Sequence, residues 1–185
     1  MGEDSGTMGR RVPGVNKHPY TKDYFDGGAG YTIYEDAGHF AETARWIVDE
    51  FQPQTVLEIG CAKGFLVKAL RDLGVSAYGC DISEYALNEA PEEVKDYLYL
   101  IDITDQKPVT LPKFDLIVSF DTFEHLPEES LNNVFAFLRA TGTRFYIKVA
   151  TPDTPDWQHD ETHITVKPLE FWEERFEDAI WVPSL

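Results

Sequence analysis

Several things are scarce in this chain. Among 185 residues there are two cysteines and two methionines, and 16 basic side chains stand against 33 acidic ones, a formal charge of -17. Two cysteines, Cys61 and Cys80, cannot build a disulfide framework, and small reduced thiols at strand ends are expected instead. A field this negative repels phosphate backbones and anionic lipid, so no nucleic acid partner is expected. Its ordinary consequence is solubility, and a cationic substrate stays open. No apolar run approaches the roughly 20 residues of a membrane-spanning helix. Residues 1–12 have no apolar centre of the kind a signal peptide carries, and Gly6 stands where a myristoylation signal would need Ser or Thr. A cytoplasmic protein without membrane insertion is the expectation.

Two nucleotide-binding signatures are also missing. The one glycine-punctuated turn that follows an apolar run lies in Thr55-Val-Leu-Glu-Ile-Gly-Cys-Ala-Lys-Gly-Phe65. A dinucleotide fingerprint would need glycine at positions 60, 62 and 65, but 62 is Ala and 65 is Phe. A phosphate-binding P-loop would end in Gly-Lys-Ser/Thr, and Lys63-Gly64-Phe65 does not supply it.

What is present is alternation. Helical spacing of Phe40, Ala44, Ile47, Val48 and Phe51 predicts a helix over about 37–51, ended by Pro53. A strand leads into the glycine turn. Leu66, Ala69, Leu70 and Leu73 then stripe a second helix, with Gly74 as its C-cap. Further strands are expected at 76–80, 97–101, 115–120, 144–149 and 179–182. Helices are expected after Ser83, after Pro127 (Leu131, Val134, Phe135, Leu138) and after Pro168 (Leu169, Trp172, Phe176). This order predicts an α/β three-layer sandwich with a mostly parallel, Rossmann-like sheet and right-handed crossovers. Residues 1–18 carry no periodicity and are expected to form a disordered tail, leaving 19–185 as one domain. From Tyr20 to Phe40, aromatic residues interleave with Gly27-Gly28-Ala29-Gly30, which suits either a flap over a ligand or a packed N-terminal arm.

In an open parallel sheet the ligand lies beyond the carboxyl ends of the strands, at the switch in strand order. Polar residues fall there as a set. Glu58 and Gly60 end the first strand, Asp81 the second, Asp102 the third and Asp121 the fourth. Asp81 suits two ribose hydroxyls, and Asp102-Ile103 suits an exocyclic amine with an apolar residue against its ring.

Glu58-x-Gly60-x-Ala62-x-Gly64 resembles the first motif of class I S-adenosylmethionine-dependent methyltransferases. The segment Phe114-Asp-Leu-Ile-Val-Ser-Phe-Asp-Thr-Phe-Glu-His-Leu-Pro127 resembles their fourth-strand region. Three matched segments span residues 55–127, and the likeness points to the broad bacterial branch acting on small molecules, glycans and lipids. That fold usually adds an antiparallel seventh strand, and the expectation here is that it is either missing or shortened, or that the strand count is off by one. The resemblance implies S-adenosylmethionine as cofactor, with S-adenosylhomocysteine as product. Gly60, Cys61, Ala62 and Gly64 would face its methionine part, Asp81 and Ile82 the ribose, Asp102 and Ile103 the adenine, and Phe120 and Asp121 the sulfonium side. Ala62 replaces the commoner glycine, which requires a φ below zero there.

The acceptor is expected to be a small molecule or glycan attacked through oxygen, with His163 and His125 as candidate bases. His159 and Asp121 are weaker candidates, and a structural hydrogen bond is the plain alternative for His125. Asp160-Glu-Thr-His163 before an aromatic-rich helix resembles a segment of sugar-modifying methyltransferases. His159, Asp160 and His163 also suggest a metal cluster, but ligands on one loop argue against it, and no metal is expected. Trp157 and Trp172 suit either stacking on an acceptor or packing at a rim. The competing function is a cofactor-binding, non-catalytic partner subunit or regulator with the same fold.

Overall fold

The computed structural model describes residues 18–28, 30, 31, 33–105, 110–155 and 160–184. Residues 1–17 of the expected tail, and Trp157 and His159, lie outside them. The elements in chain order are α1 Lys22–Asp26, α2 His39–Phe51, β1 Thr55–Ile59, α3 Phe65–Asp72, β2 Ser76–Asp81, α4 Glu84–Asn88, β3 Leu98–Leu100, β4 Leu116–Phe120, α5 Leu131–Thr141, β5 Phe145–Val149, α6 Leu169–Arg175 and β6 Ala179–Pro183.

The six strands form one sheet in the order β3-β2-β1-β4-β5-β6, every neighbouring pair parallel. Order reverses between β1 and β4, where ligands sit in sheets of this kind. The central strands are apolar on both faces because helices cover both. Leu57, Ile59, Ile117, Phe145 and Ile147 face α5 and α6, together with Val134, Phe135 and Leu138. Val56, Ala77, Leu116 and Val118 face α2 and α3, together with Ala44, Ile47, Leu66 and Leu70. This is the expected three-layer arrangement. Among the described residues β6 closes one edge of the sheet, and no antiparallel strand follows it.

Local signals explain several boundaries. Ser83 accepts the Ala86 N–H at 3.0 Å and starts α4 as its N-cap. Gly74, at φ +86°, follows the last turn of α3 and lets the chain turn back into β2. After Pro127 a 3-10 turn over Glu128–Ser130 precedes α5, so the helix begins later than Pro127 suggests.

Trp172 is a correction to the idea of a stacking platform. Its side chain is fully buried, lies against Trp181 at 5.3 Å between ring centroids, and meets Phe123 edge-on. It cannot reach an acceptor. Truncating so large a core ring costs about 3–5 kcal/mol. Trp172→Ala should therefore lower the urea midpoint far more than Trp172→Phe, as read by equilibrium denaturation with tryptophan fluorescence and circular dichroism.

Candidate active site

At the carboxyl ends of β1, β2 and β4 the structure opens a cavity of about 690 Å³, within the range that holds cofactors and small ligands. Of the predicted residues, Gly60, Ala62, Asp81, Ile82, Asp102, Ile103, Phe120, Asp121 and His125 line it. Glu58, Cys61, Gly64 and His163 do not.

The turn after β1 is held by hydrogen bonds from its backbone. Gly60 and Cys61 both donate N–H to the Cys80 carbonyl, at 2.8 and 3.1 Å. Gly60 has φ +73°, and any Cβ added there would run into Thr122. Both conformation and space demand glycine. Ala62 departs from expectation: its φ is +48°, not negative. Its N–H is donated to Asp81 Oδ2 at 2.8 Å, and its methyl group is buried with Tyr24, Phe25 and Ala86. These contacts offset a left-handed alanine, which costs roughly 1–2 kcal/mol.

Asp81 also accepts the Ser83 N–H on Oδ1 at 2.7 Å. Beyond these bonds the carboxylate keeps lone-pair sites to offer a ligand. Burial pushes its pKa up, against the pull of the Ser83 and Ala62 N–H groups. Asp102 Oδ1 accepts both the N–H and hydroxyl of Thr104. Ile103 is buried beside it in the cavity wall.

Glu58 takes a different place from the one expected. Its carboxyl is fully desolvated beneath the N-terminus of α3, facing the Val67 N–H, and burial with Asp81 nearby raises its pKa to about 8. Cys61 and Cys80 are buried free thiols, as expected from their strand-end positions.

The N-terminal segment both packs and covers. Tyr20, Tyr24, Phe25, Tyr31 and Tyr34 line the cavity, and Tyr24 and Phe25 are buried. Three latches hold it. Lys63 bonds both Asp26 oxygens at 2.8 Å, and Tyr85 donates to Asp26 at 2.7 Å. Ser83 donates to the Tyr20 carbonyl at 2.6 Å, and Tyr24 donates to Asp160 at 2.9 Å. His18, placed in the expected tail, also lines the cavity, with Nδ1 buried and without a hydrogen-bond partner.

The loop after β5 forms the far wall through Glu161, Thr162 and Ile164. His125 Nδ1 lies 2.8 Å from Thr162 Oγ1 and 3.2 Å from the Thr162 carbonyl. The Thr162 hydroxyl donates to Asp160 Oδ1, so both Thr162 oxygens accept from the histidine. This puts the proton on Nδ1 and the lone pair on Nε2. Burial and the neighbouring His163 push the His125 pKa down to about 4. Tyr20 packs edge-on against one side of the ring, and His163 lies on another at 4.6 Å between centroids. Asp121, at φ +51°, is bonded by the Ser184 hydroxyl and lies 3.6 Å from Lys148 Nζ.

Comparison with known proteins agrees with the fold. Residues 57–143 match the family model described as a methyltransferase domain. A 92-residue stretch is 33% identical to a ubiquinone biosynthesis O-methyltransferase of Thiobacillus denitrificans, covering 45% of this chain and 39% of that protein. The chain therefore spans well under half the length of that curated relative. A S-adenosylmethionine-dependent methyltransferase structure from Archaeoglobus fulgidus superposes with a TM-score of 0.61 at 20% identity, covering 84% of this chain and 70% of that one. The plantazolicin methyltransferase BpumL in complex with S-adenosylhomocysteine gives 0.56 at 19% identity, covering 74% of this chain and 60% of that one. Residues 57–143 are thus similar to a methyltransferase domain, and the fold is the one these S-adenosylmethionine-dependent enzymes share.

The cavity fits S-adenosylmethionine chemically. A carboxylate at the end of β2 suits a ribose diol, a carboxylate with a buried isoleucine after β3 suits adenine, and exposed backbone at the glycine turn suits the methionine part. Sequence reasoning missed His18, Thr122 and Thr162. The first stood in an aperiodic stretch, and the hydroxyls of the other two find partners, the Ile59 carbonyl and the His125 ring, far away in the sequence.

Glu58 gives a pH test with a definite sign. Its folded pKa lies above that of the unfolded chain, so ionisation penalises the fold progressively between about pH 4.5 and 8 and fully above that. Glu58→Gln should gain stability relative to wild type as pH rises through that window, measured as a widening difference in melting temperature. A constant difference would remove Glu58 as a buried, uncharged acid.

Proposed function

We propose that this chain transfers a methyl group from S-adenosylmethionine to an oxygen of a small-molecule or glycan acceptor. The observation that carries the reading is the meeting, in one cavity, of the Asp81 and Asp102 carboxylates with the His125 ring. The first two form a nucleoside end, and the third faces it from the acceptor side. When bound, the cofactor supplies an electrophilic methyl group on a sulfonium, so the protein chiefly aligns the partners and keeps water out.

Each residue then has a task. Asp81 holds the ribose hydroxyls and Asp102 the adenine amine, with Ile82 and Ile103 against the rings. The backbone from Gly60 to Gly64 supports the methionine part. Phe120 and Asp121 flank the sulfonium side, where a carboxylate matches the cofactor's positive charge. Tyr20, Tyr24, Tyr31 and Tyr34 cover the cavity and present electron-rich faces to a cation. His125 presents its Nε2 lone pair to the acceptor hydroxyl, and His163 supports that ring from behind. The curated relative is an O-methyltransferase by name, which supports oxygen as the nucleophile here.

Calorimetry tests the cofactor end. Asp81→Ala removes hydrogen bonds to a charged acceptor, worth about 1.5–3 kcal/mol, so S-adenosylmethionine affinity should fall at least tenfold. Unchanged affinity, or no heat with the wild-type chain, would contradict the reading. At the other end, His125→Ala and His163→Ala should each lower single-turnover rates by about 10²-fold while leaving cofactor affinity within twofold. Turnover can be followed over an acceptor panel by release of S-adenosylhomocysteine.

A further inference from the structure

Fixed at Nδ1 by Thr162, the His125 ring keeps its Nε2 lone pair to offer. Its surroundings supply a different way to use the same lone pair. Beside the ring lie Glu124, the residue before it in the sequence, and His163 from the loop after β5. One oxygen of Glu124 and one ring nitrogen from each histidine lie within 4.8 Å of one another. Glu124 is fully buried. Its Oε1 accepts the Ala150 N–H at 3.1 Å, while Oε2 is buried with no hydrogen-bond partner.

An orphaned carboxyl oxygen in the interior is met either by a proton, as at Glu58, or by a cation. We propose that Glu124, His125 and His163 form a binding site for one divalent cation of the zinc class at the acceptor wall of the cavity. Two imidazoles and one carboxylate are a donor set that such ions take in catalytic sites, with at least one position left open. The sequence-based expectation of no metal weighed His159, Asp160 and His163 as ligands and did not bring Glu124 into play.

The support around the ligands is that of a metal site. His125 donates its Nδ1–H to Thr162, and the Thr162 hydroxyl is itself anchored on Asp160. A fixed second nitrogen of this kind sets the tautomer and aims Nε2. Glu124 is oriented by Ala150, and its own carbonyl accepts the Ile164 and Thr165 N–H groups at 3.0 and 2.8 Å, tying the β4 side to the loop that carries His163. Tetrahedral ligands on zinc stand closer together than 4.8 Å, so binding would draw the three groups inward by about an ångström.

The inference rests on the cavity being a methyl-transfer site. There an acceptor hydroxyl on the open position would be acidified by the cation. Its proton leaves to solvent and the resulting alkoxide attacks the methyl carbon. The new O–C bond forms as the S–C bond breaks, its electron pair returning to sulfur, so a sulfonium and an alkoxide become a thioether and an ether. In the loaded protein, acidification passes from the imidazole to the cation.

Cation binding can be measured without cofactor or acceptor. Chelator-stripped full-length protein should take up one equivalent of Co²⁺ with a saturable visible absorption band, and Zn²⁺ should displace it. Glu124→Gln, which keeps an acceptor for the Ala150 N–H, and His163→Ala should each weaken Co²⁺ at least tenfold while S-adenosylmethionine affinity stays within twofold. Absence of a one-equivalent spectrum in the wild type overturns the proposal, as does unchanged Co²⁺ affinity in folded variants. Should either variant fail to fold, proton NMR of the wild-type Co²⁺ form decides. Two hyperfine-shifted imidazole N–H resonances support the assignment, and one or none overturns it. A chain that binds cofactor but no cation refutes this site alone, whereas one that binds the cation but no cofactor refutes the methyltransferase reading.

Discussion

One carboxylate organises the cavity. Asp81 receives the Ala62 N–H on one oxygen and the Ser83 N–H on the other. The first bond pins the turn between β1 and α3 in a conformation that alanine adopts only when held. The second fixes the entry to α4, whose cap then follows. A desolvated acid that accepts two backbone amides is oriented before any ligand arrives, and preorganisation of this kind lowers the cost of binding. Replace Asp81 and the turn loses its support along with the proposed ribose ligand. Structure and proposed function rest on the same four lone-pair positions.

From that point the other wall is built by reach across the sequence. Ser83, capped into place beside Asp81, holds Tyr20; Lys63, in the same turn, holds Asp26. The aromatic segment is thus latched to the residues that would carry the cofactor. Tyr24 continues the chain of contacts to Asp160, and Asp160 through Thr162 to His125. A continuous hydrogen-bonded path joins the covering segment to the acceptor wall. The two sides of the cavity are therefore coupled, and loosening the segment would disturb the histidine as well as expose the ligand.

The sheet and its order were legible in the sequence because period and punctuation agree. Apolar runs ended by Gly60, Asp81 and Asp121 could only be buried parallel strands, and the helices between them carried clean stripes. The acids at the strand ends were legible for the same reason, since strand direction alone places them at one end of the sheet. Three things were not. The left-handed Ala62 depends on a bond from a residue 19 positions away. Glu58 reads as a ligand-facing acid by motif, yet alternation along β1 turns its side chain to the α3 face. The convergence of Glu124 with His163 depends on how the loop after β5 folds back, which leaves no periodic trace. The histidines were found as residue types suited to proton transfer; which of them faces the cavity was a matter of tertiary contact.

The central claim is that the cavity at the ends of β1, β2 and β4 is the cofactor site, with Asp81 at the ribose. A crystal structure of the full chain with S-adenosylhomocysteine tests it most directly. The account predicts both ribose hydroxyls on the Asp81 carboxylate, the adenine amine on Asp102 against Ile103, and the homocysteine along the Gly60–Gly64 backbone. A nucleoside seated elsewhere, or one in this cavity with its ribose away from Asp81, would contradict it.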